Sequence, residues 1–528
     1  MKRLALLLVC ALLLTACSSA SSTTTTDRDP SQLVIALTSE PEVGFDPCVG
    51  WGRYGSPLIQ STLVTLDANM DVVYDLATDY AISDDGLTWT FTIRDDALLS
   101  TGEPLTAQDV AFTYETAKTS GSVVDLTVLE QVNVLSDTQL EFILSTPQIT
   151  FIYTVAQTGI VPEAYYDDDY YKNPIGSGAF TLLQWDQGQQ AILGVNPYYY
   201  GDTPNFEQVT ILFMTEETAF LAAQKGLVDV AITNANYADQ TIDGMSLLSL
   251  DSIDNRGLTL PVLPDEGTTT PEGYPIGNNV TSDVAIRQAL SYGIDREQLI
   301  VDCLNGYGAP AYSECDGMPW GNDMAVVDYD FDYACQLLDD AGWVTNPTTG
   351  LREKDGTVAE FTLLYTLDDA VRQALCYAVS LEAEKLGIAI TVEGTSWDDI
   401  DTRMFSCAVL MGWGAQNPLE TYYLYHSDNM GVDYYNPENY SSATTDAHLT
   451  AAMSATDYES SMDAFQAVQW DGTTGVSTLG ETPWVWLVNV DHLFFVRDGL
   501  SLGNQKIHPH GHAWPVVGNL ADWEWVSD

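Results

Sequence analysis

The chain has 528 residues, too many for one hydrophobic core, and 45% of them are hydrophobic, an ordinary globular proportion. Its charge is not ordinary: 18 Lys plus Arg stand against 75 Asp plus Glu, a net charge of −57. Binding to nucleic acid needs clustered cations and is excluded; anionic membrane surfaces repel such a chain, and the acidity reads as a heavily solvated exterior.

Lys2-Arg3 precedes an apolar run over residues 4–14, too short to span a bilayer, and Leu14-Thr15-Ala16-Cys17 follows. Residues 1–16 are therefore expected to be a secretory signal. Leu-Thr-Ala-Cys resembles the bacterial lipobox, which would make Cys17 the lipidated first residue; the alternative is an ordinary signal with a chance Cys. Residues 17–32 read as a Ser/Thr-rich tether with nothing apolar to fold. Cys10 falls in the discarded segment, which leaves Cys48, Cys303, Cys315, Cys335, Cys376 and Cys407. An even number outside the cell is compatible with disulfides, and Cys303 with Cys315, flanking the loop 306–310, is the first pair expected. There is no Cys-x-x-Cys, so neither a zinc ribbon nor a redox motif is supported.

Residues 33–37, LVIAL, have the length and composition of a buried strand, and Phe45-Asp46-Pro47 follows. Over 88–94, Trp89, Phe91 and Ile93 alternate with Thr and Arg, the period of a half-buried strand. Asp84-Asp85-Gly86 supplies turn chemistry, so 80–82 and 88–94 are predicted to be a hairpin. Thr106 is a good N-cap, with Asp109 placed to answer the first-turn amides. Residues 139–144 read as another strand. The tract 165–171, YYDDDYY, reads as a solvated loop with partly packed tyrosines rather than a ligand site.

Gly176-Ser177-Gly178 lacks the Gly-Lys-Ser/Thr ending of a phosphate loop, and the pattern is strand, turn, strand, with Val209, Ile211 and Phe213 alternating. A helix over 218–225 closes at Gly226, and 227–232 returns as a strand. The turn-rich stretch 261–275 is the best internal boundary. Beyond it, Ser282 is predicted to cap a helix over 283–292, Asp295 one over 296–304 with Gln298 at the capping-box position; helices over 332–341 and 368–386 follow, then a strand at 388–392. Helices alternating with short apolar strands indicate an α/β fold, and no internal repeat is present.

Several of these segments also resemble a known family. LATDYAISDDGLTWTFTIR…STGEPLTAQDVAFTYE, NPIGSGAFTLLQW with the later NPYYY, SDVAIRQALSYGIDREQLI, YACQLLDDAGW and LGIAITVEGTSWDDI are similar, in order and spacing, to the large extracytoplasmic solute-binding proteins of ABC importers, family 5, which take peptides and nickel complexes. The resemblance implies a two-lobed, periplasmic-binding-protein-like α/β fold (type II, large class) with a cleft between lobes. It divides the chain into lobe I (33–56, 171–268 and a C-terminal return at 489–528), an extra subdomain of that lobe (57–170) and lobe II (269–488). It further implies a monomer at the outer face of the cytoplasmic membrane, delivering its solute to permease and ATPase subunits.

Residues 410–418, LMGWGAQNP, are an apolar strand running into a Gly-rich bend with one Trp. On composition alone this is a packed Trp at a turn; the resemblance places the bend in the cleft, and with it Trp413, Gly414, Gln416, Asn417 and Phe45 as ligand-binding residues. The family commonly has an Asp at the position of Gln416, pairing with a peptide's α-amino group. A neutral amide cannot neutralise an ammonium, so this anchor is altered here. Near the C-terminus His508, His510 and His512 fall at spacing two, which in an extended stretch points them the same way. They are the candidate ligands for nickel or another transition metal arriving as part of a solute, with no resident cofactor expected; the alternative is a structural loop packing Trp514 on the first lobe. A secreted hydrolase is the rival class. Neither His-Glu-x-x-His nor Gly-x-Ser-x-Gly occurs, and only a carboxylate-pair mechanism stays open.

Overall fold

The computed structural model describes residues 29–526 apart from Tyr54, Ser122, Gly511 and His512. The signal, Cys17 and most of the tether lie outside the described residues. Two mixed sheets carry the two lobes. The first has seven strands in the order Met245–Leu250, His492–Arg497, Val230–Thr233, Gln32–Leu37, Gln208–Phe213, Gln190–Val195 and Phe180–Asp186. The 33–37 run sits at its centre, parallel to Gln208–Phe213 with Ile35 opposite Ile211, and Leu33, Ile35 and Leu37 are fully buried. The second has six strands: Gly308–Pro310, Trp484–Val490, Asn255–Thr259, Ala408–Met411, Glu360–Thr366 and Ala389–Thr395.

The extra subdomain is a four-stranded sheet, Ala77–Ile82, Thr88–Ile93, Gln139–Leu144 and Leu129–Ser136, built on the predicted hairpin. Trp89, Phe91 and Ile93 face its core as their alternation requires, and Tyr80 stacks on Trp89 with centroids 5.9 Å apart. The helix Ala107–Thr119 covers that face, its Tyr114 ring 4.7 Å from Phe142. At its start the Thr106 N–H donates to Asp109 Oδ2 (2.9 Å), as the capping pattern predicts.

Four expectations shift. Asp283, not Ser282, caps the helix Val284–Gly293, because its carboxylate reaches Ala285 N at 3.0 Å. The turn-rich 261–275 stretch is not the lobe boundary: Asn255–Thr259 already belongs to the second sheet, so the chain crosses at 251–254 and recrosses at Asp491. Cys303 and Cys315 are not bonded; all six described cysteines are free, and Cys315 Sγ instead receives Gln469 Nε2 at 2.8 Å inside lobe II. The YYDDDYY tract packs more than its composition suggests, with Tyr170 buried and Tyr166 donating to Asp46 Oδ2 at 2.8 Å.

At the crossing three stretches of chain are laced together. Ser252 Oγ donates to Val490 O (2.6 Å), Val490 N to Asp254 O (2.9 Å), and Ile253 N to His508 O (2.9 Å). In the same region Asp254 pairs with Arg256 at 2.5 Å and both are buried.

With so few cations, some interior carboxylates form no ion pair, and Glu438 feels only the more distant Arg287. Glu438 is 1% exposed, accepts only Trp484 Nε1 (2.9 Å) at one oxygen, and has no partner at the other. Burial pushes its carboxyl up to about 8. A carboxyl raised on folding contributes stability that is complete below its unfolded value, near 4.5, and is lost as pH rises through about 8. We therefore expect the melting temperature to fall between pH 5 and pH 8.5. In Glu438→Gln the decline should be shallower, by an amount on the order of a few kcal/mol over that range. Parallel thermal-melt profiles of the two proteins check this; identical slopes would contradict it.

Candidate functional site

The bend after the strand Ala408–Met411 is shaped by the crossing segment beneath it. A Cβ at Gly412 would lie 2.2 Å from Asn255 O, and one at Gly414 (φ +139°) 2.0 Å from Ile253 O, so only glycine admits the close approach. The glycines thus serve the chain crossing rather than a ligand. Asn255, buried at the start of its strand, holds the next residue in place: Trp413 N donates to Asn255 Oδ1 (2.8 Å) and Asn255 N to Trp413 O (3.1 Å).

Trp413 stacks on Tyr435 at 4.7 Å and 19°, and Tyr435 packs on Tyr423 at 5.0 Å. Tyr423 reaches across to the extra subdomain, where its hydroxyl donates to Asp125. These aromatics form one wall of a cavity of about 320 Å³ between the lobes. Trp51 and Arg53 close it from the first lobe, Asp125 and Gln157 from the extra subdomain, and Pro509 and His510 from the C-terminal segment. The volume lies at the small end of the range for ligand sites, and a mostly apolar wall with a few polar groups is the usual composition of one.

Gln416 and Asn417 line the same cavity, but their amides also have structural work. Gln416 Nε2 donates to Ile507 O at 2.6 Å, tying the bend to the C-terminal segment, and Asn417 Oδ1 accepts Leu419 N at 3.0 Å at the start of the helix Leu419–Tyr425. The indole Nε1 of Trp413 is buried and has no partner. Glu420, in the first turn of that helix, accepts the backbone N–H groups of Gly414 (3.1 Å) and Ala415 (3.0 Å). Burial, against the pull of those two N–H groups, pushes its carboxyl up to about 8.

Residues 71–434 match the model of the bacterial extracellular solute-binding proteins, family 5. The chain belongs to that family. It is 30% identical over 483 residues to protein XP55 of Streptomyces lividans, spanning 88% of this chain and 85% of the relative. It is 26% identical over 407 residues to the oligopeptide-binding protein AppA of Bacillus subtilis, spanning 71% and 72%. The solved structure of NikZ from Campylobacter jejuni, in complex with Ni(L-His), superposes with a TM-score of 0.76 at 22% identity, covering 94% of this chain and all of that one. The type II, two-lobed fold expected from the sequence is thereby shown, and the chain is the solute-binding component of an ABC importer.

In this solute-binding protein Trp413, Gly414, Gln416 and Asn417 all reach the interlobe cavity. Phe45 does not. It is 1% exposed in the first-lobe core, edge-on to Trp51 (4.9 Å) and Trp185 (5.4 Å), and it is Trp51, six residues on, that faces the cavity. His508 and His510 turn to different partners. His508 forms a bridge with Ser252 and is buried, its Nδ1 3.0 Å from His492 Nδ1; burial, with the neighbouring His492, pushes it down to about 3. The chain bends at His510, whose Nδ1 meets Asp254 Oδ1 at 2.6 Å on the cavity wall. His512 lies outside the described residues, among which no three His, Cys, Asp or Glu are grouped to hold a metal.

Glu420, Tyr423, Tyr435, Trp51 and Asp125 went unread in the sequence. Glu420, a carboxylate in the first turn of the helix after the bend where free N–H groups await an acceptor, is a usable signal; Asp125, brought in from another subdomain, leaves none. Trp413→Ala should weaken solute binding about tenfold, the usual loss for a buried aromatic anchor, with an unchanged circular dichroism spectrum. Titration calorimetry with a short-peptide mixture reads this, and equal affinities would take Trp413 out of the site.

Proposed function

We propose that this protein captures a short peptide in the interlobe cavity and hands it, unaltered, to the permease and ATPase subunits of its importer. The observation that carries this is the cavity itself: walled by both lobes and the extra subdomain, lined by stacked aromatics, and no larger than a few residues of peptide require. Enclosure by separate bodies suits a clamp whose closure is a population shift toward the liganded form, with no bond chemistry. Against the hydrolase reading, both cavity carboxylates are engaged, Asp125 by Tyr423 and Glu420 by the Gly414 and Ala415 N–H groups. The protein acts as a monomer at the outer face of the cytoplasmic membrane, held there by a lipid on Cys17 and the tether that follows.

A second reading is favoured by His510, which sets an imidazole on the cavity wall: a metal chelate, nickel among the candidates, as the cargo. Mass spectrometry under native conditions of the protein purified from its own host should recover intact peptides of two or three residues. Recovery of a metal chelate would favour the second reading, and recovery of cleavage products would contradict both. For the anchor, Cys17→Ala should release the protein into the medium; a variant that stays on the membrane after signal cleavage would contradict lipidation.

A further inference from the structure

Glu420 is an acid on the cavity wall with no cation beside it. Both its protein partners are backbone N–H groups, and no Lys, Arg or His among the described residues pairs with it. The neighbouring charge makes matters worse: Glu314, buried behind it and held by Thr421 Oγ1 (2.6 Å) and Tyr425 Oη (3.2 Å), is a second carboxylate. The cationic groups that share the wall are turned elsewhere, Arg53 to Glu42 (3.0 Å) and His510 to Asp254 (2.6 Å). A carboxylate taken out of water without a counter-charge is strongly disfavoured, and burial accordingly raises Glu420. Beside it stands the aromatic wall, whose π faces attract cations and nothing anionic. Both features ask for the same thing from whatever fills the cavity.

We infer that Glu420 is the counter-ion for a cationic group of the solute, an ammonium or guanidinium, seated against Trp413, Tyr423 and Tyr435. This rests on the proposed reading that the cavity is the solute site, and it adds the charge that a solute must carry.

The test is calorimetry on the mature wild-type protein and on Glu420→Gln, whose amide oxygen still accepts the Gly414 and Ala415 N–H groups. Three probes are used: an unblocked mixture of di- and tripeptides free of Lys, Arg and His, the same mixture N-acetylated, and 1,4-diaminobutane. The expected result is a loss of tenfold or more for Glu420→Gln with the unblocked mixture, a similar loss in the wild type on acetylation, and no further loss when both changes are combined. Unchanged binding of the unblocked mixture by Glu420→Gln would overturn the inference and leave the peptide reading standing. Equal weakening of blocked and unblocked mixtures would also overturn it, because it would mean that Glu420 only props the bend. If the wild type takes no peptide but takes the diamine, with the same tenfold loss in Glu420→Gln, the inference holds and the peptide reading falls. Binding of neither class of cation by the wild type overturns the inference.

Discussion

One buried carboxylate, Asp254, stands where the chain passes from one lobe to the other, and the site is assembled around it. Arg256 pairs with it at 2.5 Å from the second sheet, His510 at 2.6 Å from the C-terminal segment, and His492 Nε2 approaches to 3.5 Å from the return crossing. Burial works against its charge, yet these neighbours hold the carboxyl well below the usual carboxylate range. Removing Arg256 would leave the Asp254 carboxylate charged and desolvated, so the group fixes which stretches of chain meet there. The next residue, Asn255, then grips Trp413 through both its side chain and its backbone. The aromatic wall is thereby set by the crossing itself rather than by a free surface loop.

Between the extra subdomain and lobe II the connections are of another kind. Tyr153 and Tyr458 share a hydroxyl hydrogen bond (2.8 Å), Ile149 N donates to Met453 O (3.3 Å), and Tyr423 bonds Asp125. Each of these polar contacts between the extra subdomain and lobe II is worth about 1 kcal/mol, and buried apolar groups of the two bodies pack beside them, Tyr153 edge-on to Trp320 at 5.6 Å. A solute shifts the balance between open and closed arrangements only through contacts that it makes in one of them alone. The acidity of the chain bears on the same balance. With 18 cations for 75 acids, the carboxylate of Glu420 goes without a protein counter-charge, and it faces the cavity.

The parts of the fold that were legible in the sequence are those where one face of an element meets solvent. Trp89, Phe91 and Ile93 advertise their strand because Thr88, Thr90 and Thr92 alternate with them, and Asp295 advertises its helix because a cap must be a short polar acceptor. The lobe crossing was not legible. Ser252 to Asp254 is buried, hydrogen-bonded and free of Gly and Pro, whereas the stretch 261–275 carries every turn signal and crosses nothing. The cavity was half legible. The bend at Trp413 stood out by composition and by family resemblance, but its glycines turned out to accommodate Ile253 and Asn255. Phe45 lies in the first-lobe core rather than on the cavity, and His508 and His510 turn to different partners because spacing says where side chains point only while the chain stays extended, and it bends at His510.

The central claim is that two lobes close over a small solute and let it go unchanged. Small-angle scattering, with the same samples analysed afterwards by mass spectrometry, addresses it most directly. The account predicts a smaller radius of gyration in the presence of a bound short-peptide mixture than after its removal, with every peptide recovered at its original mass. Equal dimensions in the two states, or peptides recovered shortened, would contradict it.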